Sequence, residues 1–223
     1  MNANTEILEL SIESKQTDEA LLSIFHTILF HRSVGKFSYN DDEKYEIGTI
    51  GYTDVECDFI DLTYVCLTST ELDQNVRREI GYFGELLRVN DAIGPNAGQI
   101  SLEFFKKSPN RWLFQQDYIP WEVWTIRLDL LPTTAEQGQA MYREKVGELI
   151  TEKILYITDV INRYENYTPK IPQKSELGTV FDTSYRDIQP YLFKFSYSVS
   201  GSSVPGISVG SSVKKLLRDT LSF

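Results

Sequence analysis

Polar and apolar positions alternate over residues 7–13, placing Leu8, Leu10 and Ile12 on one face; this predicts a half-buried strand. The period then lengthens. Ala20, Leu21, Ile24, Phe25, Ile28 and Leu29 recur at helical spacing behind Thr17, a candidate N-cap, with Asp18 and Glu19 in the first turn and an end near His31 or Arg32. Short strands are expected over 35–39, 45–50 and 55–67, the first two separated by the turn-forming run Asn40-Asp41-Asp42-Glu43. Leu72, Val76, Ile80, Phe83 and Leu87 mark a second helix over 70–89. After a loop at 90–98, residues 99–105 read as a strand. Residues 120–131 alternate most clearly, with Trp124, Ile126, Leu128 and Leu130 on one face. A long helix follows over 135–164, with Met141, Val146, Leu149, Ile150, Ile154, Ile157, Val160 and Ile161 inward. Residues 189–200 read as a strand. Beyond the Gly/Ser-rich stretch 200–210, the stripe Val213, Leu216, Leu217 and Leu221 predicts a helix at about 211–222.

Alternating strands leave one sheet face to solvent, whereas parallel sheets covered on both faces are built from continuous apolar runs. The interleaved helices therefore predict an α+β fold, a mainly antiparallel sheet with helices packed on one side. No internal linker forces a boundary, so 1–223 reads as a single domain. Hydrophobic content of 41% and charged content of 24% fit a globular chain. The N-terminal stretch carries Glu6, Glu9 and Glu13 where a secretory signal needs positive charge, and only two cysteines are present. A cytosolic or nuclear location is the expectation. The net charge of −10 is uneven: residues 1–75 carry 15 acidic and 4 basic side chains, and the remainder 17 and 18. Neither part has the basic excess that nucleic-acid binding requires.

Catalytic and metal chemistry is sparse. His26 and His31 are five residues apart, about 140° around a helix, and no further His or Cys stands close in sequence, so no zinc site is expected. Cys57 and Cys66, on one predicted strand, would lie about 30 Å apart and read as buried thiols. Asp54, Glu56 and Asp58 share a strand face near Asp61, but Phe59 stands where a calcium loop needs glycine; the opposite face, Val55, Cys57 and Phe59, is read as turned to the core. Gly206-Ile207-Ser208-Val209-Gly210 matches a nucleophile elbow literally, yet both histidines precede Ser208, the reverse of the hydrolase order. Asn166-Tyr167-Thr168 reads as a chance sequon.

Aromatic residues carry more. Trp121 and Trp124, on the strong strand, read as core. Trp112 and Phe114 sit instead in Lys106-Lys107-Ser108-Pro109-Asn110-Arg111-Trp112-Leu113-Phe114-Gln115-Gln116-Asp117, which is polar on both sides and has neither period. Large aromatics on such a loop mark a contact when they are not folded back on the core.

Five blocks carry a resemblance: His31-Arg32-Ser33-Val34-Gly35-Lys36-Phe37; Cys57-Asp58-Phe59-Ile60-Asp61-Leu62-Thr63-Tyr64-Val65; Arg111-Trp112-Leu113-Phe114 through Ile119-Pro120-Trp121-Glu122-Val123-Trp124-Thr125; Val180-Phe181-Asp182-Thr183; and Arg186-Asp187-Ile188-Gln189-Pro190-Tyr191-Leu192. In this order the chain resembles the autophagy-related protein 101 family. The resemblance implies a HORMA domain, a sheet with three main helices on one side. It implies a non-enzymatic adaptor of the autophagy-initiating Unc-51-like kinase complex, cytoplasmic and recruited to the phagophore assembly site, without cofactor. The implied partner is the HORMA domain of autophagy-related protein 13, paired and stabilised. A protruding loop, here 106–118, is implied to recruit downstream autophagy factors through Trp112 and Phe114; Leu113 stands where the resembled animal sequences carry proline, so the backbone constraint of that ring is missing. His31, Arg32 and Arg143 are the candidates for the paired interface, and charge reversal at Arg32 or an aspartate at Arg143 is expected to weaken pairing more than folding. Two other readings stand beside this one: a checkpoint-type HORMA module trapping a peptide under residues 188–223, and a serine hydrolase using Ser208.

Overall fold

The computed structural model describes residues 3–41, 44–89, 97–109, 116–133, 135, 138–163, 167–199 and 206–207. Strand β1 (Asn4–Glu13) leads through a 3-10 turn (Ser14–Gln16) into α1 (Thr17–His31). Four short strands follow: β2 (Ser33–Gly35), β3 (Phe37–Tyr39), β4 (Tyr45–Ile47) and β5 (Tyr52–Glu56). Then come β6 (Thr63–Leu67), α2 (Thr70–Val89), the long strands β7 (Ala97–Pro109) and β8 (Gln116–Leu131), and α3 (Gln139–Ile161). A second 3-10 segment (Lys174–Thr179) precedes β9 (Ile188–Pro190), β10 (Phe193–Val199) and β11 (Gly206–Ile207).

The main sheet has the order β1-β8-β7-β10-β11. Three of its pairings are antiparallel; β1 alone runs parallel to β8, with Leu10 opposite Leu128. The two-residue period sorts the faces. Leu8, Leu10, Ile12, Ile100, Leu102, Phe104, Trp124, Ile126, Leu128 and Phe195 are buried on one. The other carries polar pairs such as Ser101–Thr125 at 2.8 Å and Lys194–Glu103 at 2.8 Å. Helix α1 lies on the apolar face, where Phe25 meets Phe195 edge-on at 5.1 Å between centroids. It is also packed by α2, α3 and β6, so most of its circumference is buried. This is the expected α+β arrangement, mostly antiparallel.

Several local expectations change. Thr17 is the first helical residue, not the cap; Gln16 occupies that place because Ser14–Gln16 already form a 3-10 turn. The strand expected over 55–67 is a hairpin, β5 against β6, with Thr53 opposite Cys66. Cys57 and Cys66 thus belong to the connecting turn and to the second strand, not to one extended strand; both are buried free thiols, as read. The turn is held by α1: Glu19 accepts from the Asp58 and Phe59 N–H groups at 2.7 and 2.8 Å, and Gln16 Nε2 donates to the Phe59 carbonyl at 3.1 Å. This fold-back turns Phe59 outward, against the expectation. On α3, Val146, Ile150, Ile157, Val160 and Ile161 are buried as expected, but Met141 is 73% exposed, because it sits in the first turn at the outer face. The C-terminal helix expected at 211–222 lies outside the described residues.

Helix α3 passes so close to the 57–62 turn that a Cβ on Gly147 would collide with the Asp61 carbonyl oxygen. Alanine gains about 1 kcal/mol over glycine in helix propensity, but this contact is with backbone that cannot rotate away. Gly147→Ala is therefore expected to lose about 1–3 kcal/mol by overpacking, read as a lower midpoint in urea. A raised midpoint would mean that the helix does not approach the turn this closely.

Candidate functional site

The β7–β8 ladder is longer than the sheet that carries it. β1 pairs with β8 from Glu122 onward, and β10 pairs with β7 only as far as Phe104. Beyond a bulge at Phe104/Phe105, β7 and β8 continue alone from Phe105↔Pro120 to Pro109↔Gln116. The sheet reaches further into 106–118 than the sequence suggested: 106–109 and 116–118 are strand, and 110–115 lie outside the described residues. Among the described residues, no other strand flanks this arm. Its base is fixed by the Phe105 N–H on the Leu192 carbonyl at 3.0 Å, by Phe105 against Tyr118 at 5.1 Å, and by Lys106 Nζ 3.3 Å from the Tyr167 hydroxyl. Trp112 and Phe114 themselves lie outside the described residues.

His31, Arg32 and Arg143 do not form one patch. The Asp61 N–H donates to the Arg143 carbonyl at 3.3 Å, and the turn containing Asp61 is tied to the N-terminal end of α1. His31 ends the same helix, which at 1.5 Å per residue is about 20 Å long. Arg143 is exposed and His31 half-buried, its ring edge-on to Phe30 at 5.7 Å. Burial, and then the neighbouring Arg32 charge, lower the His31 pKa from its ordinary value.

Arg32 is inside. Its Nε donates to both Glu122 oxygens at 3.0 and 3.1 Å, and its Nη2 donates to Oε2 at 2.6 Å. Trp124 Nε1 donates to the same carboxylate at 2.7 Å, and the guanidinium lies 5.6 Å from the Trp121 ring centroid. The Tyr191 N–H donates to the Arg32 carbonyl at 2.9 Å. Arg32 therefore joins α1, β8 and the segment after β9, so its reversal acts on the fold first. That departs from the expectation that pairing would suffer more. A basic residue at a helix end reads from sequence as surface; only the fold reveals its carboxylate partner, 90 residues away.

A second cluster was not legible either. His26 of α1, Cys66 of β6 and Asp73 of α2 meet: Cys66 Sγ is 3.3 Å from His26 Nδ1, and His26 Nε2 is 3.2 Å from Asp73 Oδ1. Tyr64 stacks beside the imidazole at 5.9 Å, and Arg77 Nε donates to Asp73 at 2.8 Å. Burial lowers the His26 pKa to about 4 and pushes the Cys66 thiol up to about 11. A second His or Cys close in sequence is the usual sign of such a group. Here the partners lie 40 and 47 residues on. The one available signal was a histidine amid the apolar positions of α1.

The acidic side chains Asp54, Glu56 and Asp58 are exposed. Ser208 and Asn166 are outside the described residues. Among the described residues, no helix is long and apolar enough to cross a membrane.

The autophagy-related protein 101 family model matches residues 9–175. The chain is 47% identical to the human autophagy-related protein 101 and 48% identical to that of Xenopus laevis, each over 221 residues covering 99% of both chains. Against the Arabidopsis thaliana protein of the same name, identity is 24% over 188 residues, 74% of this chain and 79% of that one.

Proposed function

The chain belongs to the autophagy-related protein 101 family, which gives it an autophagy-related role, and from that premise we propose that it is a non-enzymatic scaffold of the autophagy-initiating Unc-51-like kinase complex. In this reading residues 1–223 form one HORMA domain. It pairs with the HORMA domain of autophagy-related protein 13 and stabilises it, and the pair is cytoplasmic until recruited to the phagophore assembly site. The arm formed by β7 and β8 presents Trp112 and Phe114 to downstream autophagy factors. His31, at the C-terminal end of α1, and Arg143, on α3 beside the turn tied to the other end of α1, are candidate contacts with partners, and Arg32 supports the surface from within. The C-terminal stripe Val213, Leu216, Leu217 and Leu221 is a further docking element.

The observation that carries this is the two-stranded arm. A ribbon that leaves its sheet has little core of its own, so its form suits presentation rather than packing. Trp112 and Phe114 lie in the sequence between Pro109 and Gln116, the last paired residues of the arm, which supports a recruiting role. Co-expression tests the pairing: the soluble yield of the partner HORMA domain is expected to rise several-fold with this chain. An unchanged yield, with the two proteins separating on an affinity tag, would overturn the stabilising role.

A further inference from the structure

His26, Cys66 and Asp73 come from three elements, and the pairing and recruiting surfaces use none of them. One donor atom from each lies within 4.8 Å of the other two. The donor set is mixed: imidazole nitrogen, thiol sulfur and carboxylate oxygen. That combination suits a borderline-soft divalent cation such as Zn²⁺. Bonds of about 2.3 Å to sulfur and about 2.0–2.2 Å to nitrogen and oxygen, at tetrahedral angles, put donor atoms roughly 3.3–3.6 Å apart. His26 Nε2 is 3.2 Å from Asp73 Oδ1 and 3.8 Å from Cys66 Sγ, close to that spacing.

Two adjustments complete the geometry. Sγ lies within 4 Å of both ring nitrogens, so it sits over the imidazole rather than in line with the Nε2 lone pair. Binding needs Cys66 Sγ to shift from the ring face toward the Nε2 lone pair, and the Asp73 side chain, 28% exposed, has room to follow. The surroundings resemble those of a ligating carboxylate: Arg77 Nε holds both Asp73 oxygens, at 2.9 and 2.8 Å, from the solvent side. Such outer hydrogen bonds fix the orientation of a carboxylate ligand. The partly exposed Asp73 edge also provides the entry path, which His26 and Cys66, both buried, do not.

We propose that His26, Cys66 and Asp73 form a three-ligand site for Zn²⁺ or a similar transition-metal ion, binding through His26 Nε2, the Cys66 thiolate and an Asp73 oxygen. On binding, the Cys66 S–H bond breaks, its proton passes to solvent, and the sulfur electron pair forms the metal bond. Water fills the fourth position. The ion would tie α1, β6 and α2 together, and this holds whether or not the scaffold reading does.

Cobalt(II) titration of the full chain tests it. The expected result is a thiolate-to-cobalt charge-transfer band saturating at one ion per chain and displaced by Zn²⁺. Cys66→Ser should abolish the band and Cys57→Ser should keep it, while Asp73→Asn should weaken binding at least tenfold. Zn²⁺ at a hundredfold its Kd should raise the melting temperature by roughly 5–10 °C in the wild type and leave Cys66→Ser unmoved. No band in the folded wild type, or a band lost in Cys57→Ser and kept in Cys66→Ser, would overturn the site.

Discussion

Arg32→Ala is expected to destabilise the fold by about 3–5 kcal/mol, because it leaves the Glu122 carboxylate buried without its counter-charge. For a chain of this length that is a fall of roughly 6–20 °C in melting temperature. Three hydrogen bonds to Glu122 are lost, and the Trp124 N–H then shares a carboxylate that neither water nor a cation compensates. The double variant Arg32→Met, Glu122→Gln should recover much of the loss. Glutamine still accepts from Trp124, methionine fills the volume of the arginine stem, and removing both charges removes the desolvation cost that the single variant exposes. A double-mutant cycle read by thermal or urea unfolding measures this. A single variant within about 1 kcal/mol of wild type would show that Arg32 is not an internal strut, and would restore it as a surface candidate.

Trp112→Ala with Phe114→Ala is expected to have the opposite profile. Buried aromatic anchors at an interface typically cost at least about 2 kcal/mol of binding each when truncated, roughly thirtyfold in affinity. In an extended stretch, residues two apart point the same way, so both rings can enter one groove. Lys106 and Lys107 on the arm and Arg111 beside the aromatics favour a groove with an acidic rim and speed the encounter. The double variant should therefore melt like wild type, keep its partner HORMA domain and fail to recruit downstream autophagy proteins in a pull-down. Were the rings packed on the core instead, the same truncation would cost about 3–5 kcal/mol of stability, and a drop of many degrees would reassign them.

What could be read from the chain follows from where the physics is local. β1, α1, α2 and β8 announce themselves because their buried apolar positions recur at a two- or 3.6-residue period that survives in sequence; α2 falls at 70–89 as expected. The 55–67 stretch misleads because its turn, Cys57 to Leu62, is closed by the Cys57 N–H donating to the Leu62 carbonyl and the Leu62 N–H to the Ile60 carbonyl, each at 3.0 Å, and is braced by Glu19 rather than by glycine or proline. Met141 misleads because apolar character alone does not say which side of a helix faces inward at its first turn. The aromatic pair at 112 and 114 stands out as a composition anomaly between polar flanks. Arg32–Glu122 and His26–Cys66–Asp73 were hidden, since each needs partners from elements that only the folded sheet brings together.

A heterodimer of HORMA domains, as proposed above, is tested most directly by its mass in solution. Equimolar full chain and partner HORMA domain, mixed at micromolar concentration, should elute from gel filtration as one species whose light-scattering mass equals one copy of each. Two separate monomer peaks at that concentration would contradict the account.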